Sequence, residues 1–447
     1  MLAASTAQEG DEGRNDAAGR ILGPWRGLLQ VEPERSDQYG ARAIPRLPLP
    51  LGDARRVHGC RGSEPTLWIT FAPITGNAAR FYHVSDLAIG LLSMSFMVVY
   101  VLVSIPASWM IDTYGVRLAV GAGAALTAVF GLLRGLANSS YTLVLIAQIG
   151  IAMGQPFILN AVTKVAARWF PLSERATASG LGLLASYLGI VVGLALTPFL
   201  MLRLGMNGML LAYGIAAVVA GLAFAALARE RPATPPCPQG QDERSLVFDG
   251  LGDALHNRNF LLLMLILFIG LGIFNGVTTW IEDIVRPRGF TVTQAGIAGG
   301  LMVVGGILGA LVIPLLSDHY RRRVPFMLLA LAGATPGLAG VALARSYWLL
   351  LASAFALGFF LLSAGPIAFQ YGAEVTYPAP EGTTNGLLLL MGQVAGIIFI
   401  FAMDSLKSPR TGSMTPSLLA FIVMMLASLI VASRLRESAL ILAGSSA

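Results

Sequence analysis

A chain of 447 residues that is 55% apolar and 12% charged, with a mean hydropathy of +0.71, departs from soluble proteins, in which about a quarter of residues are charged. A soluble core of that size would leave too little polar surface to solvate it, whereas a bilayer lets apolar side chains face lipid on every side. The formal charge of +6 does not point to nucleic acid, because the basic residues stand singly or in short groups between apolar runs and form no continuous basic face.

In chain order, residues 1–40 are polar and charged with no apolar core, which excludes a signal peptide and reads as a disordered cytoplasmic tail. Residues 43–66 carry Pro45, Pro48 and Pro50, then Asp53, Arg55, Arg56, Arg61 and Glu64, where the start of a first spanning helix belongs. Each charge costs about 2.5–3.5 kcal/mol at a helix centre, so this stretch cannot cross a bilayer. It reads as if a compensated frameshift, or an error in the reading frame, had overwritten the start of that helix, the alternative being a genuine re-entrant half-helix. What remains apolar, residues 67–75, spans only about 14 Å at the α-helical rise.

Eleven full spans of about 20 apolar residues follow, over 87–110, 118–136, 141–167, 176–201, 207–228, 260–284, 293–316, 325–343, 347–371, 383–406 and 415–433. Residues 229–258 hold Pro232, Pro235, Pro236 and Pro238 with Asp242, Glu243 and Arg244, and read as a cytoplasmic linker. The expected organisation is therefore a polar segment 1–66, a helical half 67–228, the linker 229–258, a second helical half 259–436 and a tail 437–447.

The halves echo one another. Asp112-Thr-Tyr-Gly115-Val-Arg117 returns as Asp318-His-Tyr-Arg-Arg-Arg323 about 206 residues later, and Phe170-Pro171 returns as Tyr377-Pro378 at nearly the same shift, in register with Gly189 and Gly396. Parallel six-helix repeats place a solute site between the halves near the bilayer midplane. Arginines dominate the loops after Asp112 and Asp318 and the linker, so by the positive-inside rule those loops and the C-terminus face the cytoplasm.

Cys60 and Cys237 form no pattern, and His58, His83, His256 and His319 are scattered, so neither a metal nor another cofactor is expected. No phosphate-cradling glycine–lysine loop is present, which argues against direct ATP drive, and no convergent set of His, Asp or Ser points to an enzyme.

The Asp112, Gly115 and Arg117 loop resembles the loop motif of major facilitator transporters. Further stretches resemble the feline-leukaemia-virus-subgroup-C-receptor-related family of choline and haem transporters: Leu67-Trp68-Ile-Thr-Phe, Gly154-Gln155-Pro-Phe-Ile-Leu ahead of Arg168-Trp-Phe, and Ala373 to Gly382 running on to Gly392-Gln393-Val-Ala-Gly396. The likeness covers roughly residues 67–435. It implies an all-α polytopic fold of two six-helix halves and a cation site built on a tryptophan of the first helix and glutamines of the fourth and eleventh, which fall on Trp68, Gln155 and Gln393. The family's aromatic on the seventh helix aligns near Thr279, with Trp280 beside it.

The residues themselves add candidates. Asn275, Thr278, Thr279 and Glu282 share one face of the seventh span, and a polar stripe at membrane depth lines a pathway or another helix. Glu282 and Asp283 are the candidate proton- or cation-coupling acids. Asp112, Gly115, Arg117, Asp318 and Arg323 form candidate gating turns at the cytoplasmic side. The expected function is a monomeric secondary active or facilitative transporter in the cell membrane, most readily a bacterial inner membrane, moving a small organic solute such as choline or ethanolamine by alternating access. The alternatives are an organic-anion carrier using Arg134, or a non-transporting receptor or inactive pseudo-transporter with a disrupted first helix.

Overall fold

The computed structural model describes residues 64–169, 175–228, 251–377, 379 and 381–438, and among these every regular element is a helix. The 43–63 part of the segment suspected of being overwritten, the Phe170–Pro171 repeat and most of the linker lie outside the described residues.

The first helix is longer than its hydropathy suggests. Residues 64–69 are helical, a short 3-10 turn follows at Ala72–Ile74, and α1 continues over Thr75–Tyr82. The 19 positions from 64 to 82 reach about 28 Å at the helical rise, close to the bilayer core, rather than the 14 Å of the apolar core alone. The polar-looking Gly76-Asn77-Ala78-Ala79 is tolerated because Ala78 and Ala79 are buried in protein and Asn77 lies against Met201. His83 closes α1 in the left-handed conformation with φ 55°.

Then come α2 (Asp86–Tyr114), α3 (Val116–Leu136), α4 (Tyr141–Trp169) and α5 (Arg175–Leu227). Ser85 caps α2 by accepting from the Ala88 amide. α2 ends at Gly115, whose φ of 91° turns the chain directly into α3, a conformation costly to any residue with a Cβ. The apolar part of α5, Gly180–Ala226, has 47 residues, about 70 Å of helix, more than twice the hydrocarbon thickness. It bends at Gly205 (φ 70°, ψ 178°) into two antiparallel spans, where the sequence placed the boundary between 201 and 207.

The second half holds α6 (Leu251–His256), α7 (Arg258–Thr279), α8 (Ile281–Val285), α9 (Val292–His319), α10 (Val324–Leu343), α11 (Tyr347–Thr376), α12 (Glu381–Ser405) and α13 (Thr415–Ala432). A capping box of Thr291 and Gln294 starts α9. Its Gly305 and Gly309 lie against the carbonyls of Phe355 and Phe359, so α9 and α11 touch backbone to backbone. The predicted single span 260–284 is two helices: Trp280 (φ −99°, ψ 18°) interrupts it, and Glu282 and Asp283 sit on the separate α8.

The halves meet through α2 against α12, α5 against α9, and the first helix against α8 and α9. Gly296 and Gly299 of α9 face Leu194 of α5, Gly396 of α12 faces Met97 of α2, and Gly90 of α2 faces the Trp280 ring. These contacts lie toward the end opposite the Asp112 and Asp318 turns, called here the outer end. The bundle is closed on that side.

Candidate functional site

Trp68 is nearly buried, and its indole Nε1 donates to the Ser93 carbonyl of α2 at 3.1 Å. One turn along α2, Met97 meets Gly396 of α12. Asn275 of α7 approaches the same glycine and donates from Nδ2 to the Gly392 carbonyl at 3.3 Å, next to Gln393. One stretch of α2 thus gathers Trp68 from one side and Asn275 with the Gln393 turn from the other. Gln393 is itself half-buried.

Gln155 stands on α4. Gln148 and Gln155, seven residues apart, share a helical face, and Gln148 is turned toward the first helix. The Gln155 Oε1 is buried and has no hydrogen-bond partner among the described residues. Three residues past Met97, the Tyr100 hydroxyl donates to Asn160 Oδ1 at 2.9 Å, and Asn160 Nδ2 donates to Ser104 and Ser108 hydroxyls, both at 3.0 Å. The sequence reading missed this cluster, although Ser104 and Ser108 stand one turn apart on α2.

Arg134 is fully buried in the first half and faces neutral groups. Its Nη1 donates to the Leu67 carbonyl at 2.9 Å and to Gln148 Oε1 at 2.8 Å, Nη2 lies 3.5 Å from the Thr70 hydroxyl, and the guanidinium stands 5.6 Å from the Phe71 ring centre. It therefore satisfies a carbonyl at the point where the first helix breaks. A lone arginine between Gly131 and Gly135 in an apolar span, with a glutamine early in the next helix, was the signal for this clamp.

Thr278 and Thr279 are buried with hydroxyls unpartnered among the described residues. Trp280 is turned elsewhere: its Nε1 donates to the Ile400 carbonyl at 3.1 Å and its ring fills the space left by Gly90 across the interface. It wedges the outer end shut.

Beyond Trp280 lies an ionic cluster drawn from both halves. Arg286 donates to Glu282 Oε2 at 3.0 Å, to Asp86 Oδ2 at 2.7 Å and to Asp283 Oδ1. Lys407 donates to the same Asp86 oxygen at 2.8 Å and lies 3.5 Å from Asp283 Oδ1. The Gly76 amide of the first helix donates to Glu282 Oε2 at 2.9 Å. Outside the spans, burial pushes the Asp283 carboxyl up to about 8; Asp86 and Glu282 push the same way, and Arg286 and Lys407 oppose them. Burial raises Glu282 too, against the pull of Arg286. Burial disfavours the Lys407 ammonium, yet Asp86 and Asp283 more than offset that and raise its pKa. The sequence had singled out Glu282 and Asp283 but neither Asp86 nor Lys407.

At the opposite end, Asp112 pairs with Lys164 of α4. Arg323 pairs with Asp318 and with Glu374 of α11, and Glu437 accepts from the Arg323 and Val324 amides. These bonds tie together helices of one half.

Two antiparallel-helix bundles related by a repeat, joined at one end and lined by polar groups where they meet, define a transporter of the major facilitator architecture. The family model described as Major Facilitator Superfamily matches residues 63–400, and the chain belongs to that superfamily. It is 30% identical over 364 residues to Solute carrier family 49 member A3 of Xenopus tropicalis, covering 77% of this chain and 75% of that one. It is 28% identical over 388 residues to the choline/ethanolamine transporter FLVCR1 of Felis catus, covering 81% and 69%. Among solved structures, a bacterial homologue of the human lysosomal transporter Spinster, crystallised inward-facing and unoccupied, superposes with a TM-score of 0.69 at 16% identity, covering 87% of this chain and 98% of that one.

Proposed function

We propose that this multi-pass membrane protein carries a small organic cation of the choline or ethanolamine kind across the bilayer by alternating access between its two halves. The observation that carries the reading is the setting of Trp68. Its N–H is committed to the Ser93 carbonyl, which fixes the indole plane and leaves a π face as the attractor for an alkylammonium group. The amides of Gln155, Asn275 and Gln393 supply neutral polar groups able to orient a hydroxyl, and the names of relatives such as FLVCR1 of Felis catus support the same class. Glu282 and Asp283 act in proton or cation coupling rather than in holding the solute, since Trp280 lies between them and Asn275 along the chain.

An organic-anion carrier needs a cation facing the solute. Arg134 does not suit that role, because its Nη1 and Nη2 are engaged by Leu67, Gln148 and Thr70 within one half. The test is uptake of labelled choline and ethanolamine into proteoliposomes containing the purified chain. Saturable uptake above empty vesicles, lost in Trp68→Ala, supports the reading; uptake of carboxylates with none of either amine overturns it.

A further inference from the structure

The outer ionic cluster holds more acid than base. Asp86 of α2, Glu282 and Asp283 of α8 and Asp404 at the end of α12 face Arg286, Lys407 and the more distant Arg80 of α1: four carboxylates to three cations. Asp283 sits at the centre with no exposed surface, and its Oδ2 has no hydrogen-bond partner among the described residues, while Oδ1 shares both cations with Asp86. A buried carboxylate with one unsatisfied oxygen and only a share of two cations is an expensive anion. Placing one proton on Oδ2 removes both the excess charge and the uncompensated oxygen.

The cluster is also divided between the halves. Asp86 and the Gly76 amide belong to the first, and Glu282, Asp283, Arg286 and Lys407 to the second. Opening the outer end withdraws Asp86, leaves Lys407 to Asp283 and Arg286 to Asp283 and Glu282 of its own half, and readmits water. Resting on the alternating-access reading above, we propose that closure of the outer end takes up one proton from the outer solution onto Asp283 Oδ2, and that reopening returns it. The O–H bond made on closing is the bond broken on opening, and no other reactant is required.

The sign follows from the two states. With Asp283 raised to about 8 when closed and near the ordinary carboxylate value of about 4 when open and solvated, the closed state binds more protons. Its advantage is complete below the open-state pKa and is lost as pH rises through the closed-state one, by up to about tenfold in the closed-to-open ratio per pH unit.

The experiment measures the outer distance by electron–electron double resonance in the full chain in lipid nanodiscs without solute. Spin labels are placed at Ser139→Cys and Arg345→Cys, exposed loop positions of opposite halves, with Cys60 and Cys237 changed to serine. The expected result is a short distance at pH 5 giving way to a long one toward pH 8. Asp283→Asn is expected to stay short and pH-independent, and Asp86→Asn to shift the midpoint to lower pH, because Asp283 then no longer shares Arg286 and Lys407 with Asp86. A wild-type distribution that is flat from pH 5 to 9, or an Asp283→Asn variant with the wild-type slope, overturns the proposal. Should Asp283→Asn not fold, an unshifted midpoint in Asp86→Asn overturns it as well. Because no solute is present, absence of amine uptake refutes the cation assignment alone, while flat distances in a protein that transports choline refute the proton latch alone.

Discussion

Replacing Gly90 with alanine places a methyl group where the Trp280 ring now lies. A Cβ built there falls 2.6 Å from both Cζ2 and Cη2 of the indole, about 1 Å inside ordinary carbon contact. The indole has little freedom to yield, since it is fully buried and its Nε1 is bonded to the Ile400 carbonyl. Overpacking of this kind costs about 1–3 kcal/mol, and it falls only on the closed state, because Gly90 and Trp280 belong to different halves. The closed-to-open ratio at the outer end should drop about 5- to 150-fold. Leu194 offers the readout: it is fully buried in the same interface against Gly299. In a Leu194→Cys background lacking Cys60 and Cys237, the rate of modification by an impermeant maleimide follows the open population when opening and closing are fast relative to labelling. Gly90→Ala should raise that rate by the same factor. An unchanged or slower rate would show that Trp280 does not wedge the interface and would refute the assignment of the closed end.

Trp68→Ala should raise the KM for choline uptake several-fold, in keeping with about 0.5–2 kcal/mol for a cation over an indole face, with Trp68→Phe intermediate; equal kinetics in all three proteins would remove Trp68 from the site. Arg134→Met leaves the Leu67 carbonyl and Gln148 without their donor and should cost about 1–3 kcal/mol, seen as a lower Tm in detergent; Arg134→Lys should recover only part, having one point of charge to reach three partners. Arg323→Gln strips the cation from Glu374, whose side chain is 9% exposed, and a loss of about 2–3 kcal/mol is expected, between the values for exposed and buried pairs. Urea or thermal unfolding that leaves Arg323→Gln indistinguishable from wild type would show that Gln370, which also bonds Glu374, suffices.

Most spans were readable because lipid demands long apolar runs, and the reversal at Gly205 showed itself as a short break holding Arg203 and Gly205 between two of them. The first helix was under-read for the converse reason. Asn77 and Arg80 look like a loop on any hydropathy scale, yet α1 is held by protein rather than lipid, so its composition is not that of a lipid-facing helix. The interruption at Trp280 was illegible because its cause lies elsewhere in the chain: the indole turns to a carbonyl 120 residues away. Asp86 and Lys407, 321 residues apart, meet only when both halves are assembled. Each alone reads as a solvated charge at a helix end. Trp68, Gln155 and Gln393 were named through family likeness, and what the fold adds is the shared stretch of α2 that brings Trp68 near Asn275 and the Gln393 turn.

The first helix answers to both halves at once. Below its 3-10 turn, the Thr66 hydroxyl donates to the Gly189 carbonyl at 2.7 Å and Arg134 grips Leu67; above it, the Gly76 amide is fastened to Glu282 of the opposite half. When the outer end parts, the upper fastening must release or the turn at Ala72–Ile74 must flex, while the lower segment rides with the first half unchanged. Trp68 sits on that lower segment, so under the proposed cation reading a solute on its indole keeps the same aromatic floor whichever side of the membrane is open. On that reading, any difference in affinity between the two faces must come from the groups that move relative to it, Asn275 and Gln393 of the second half.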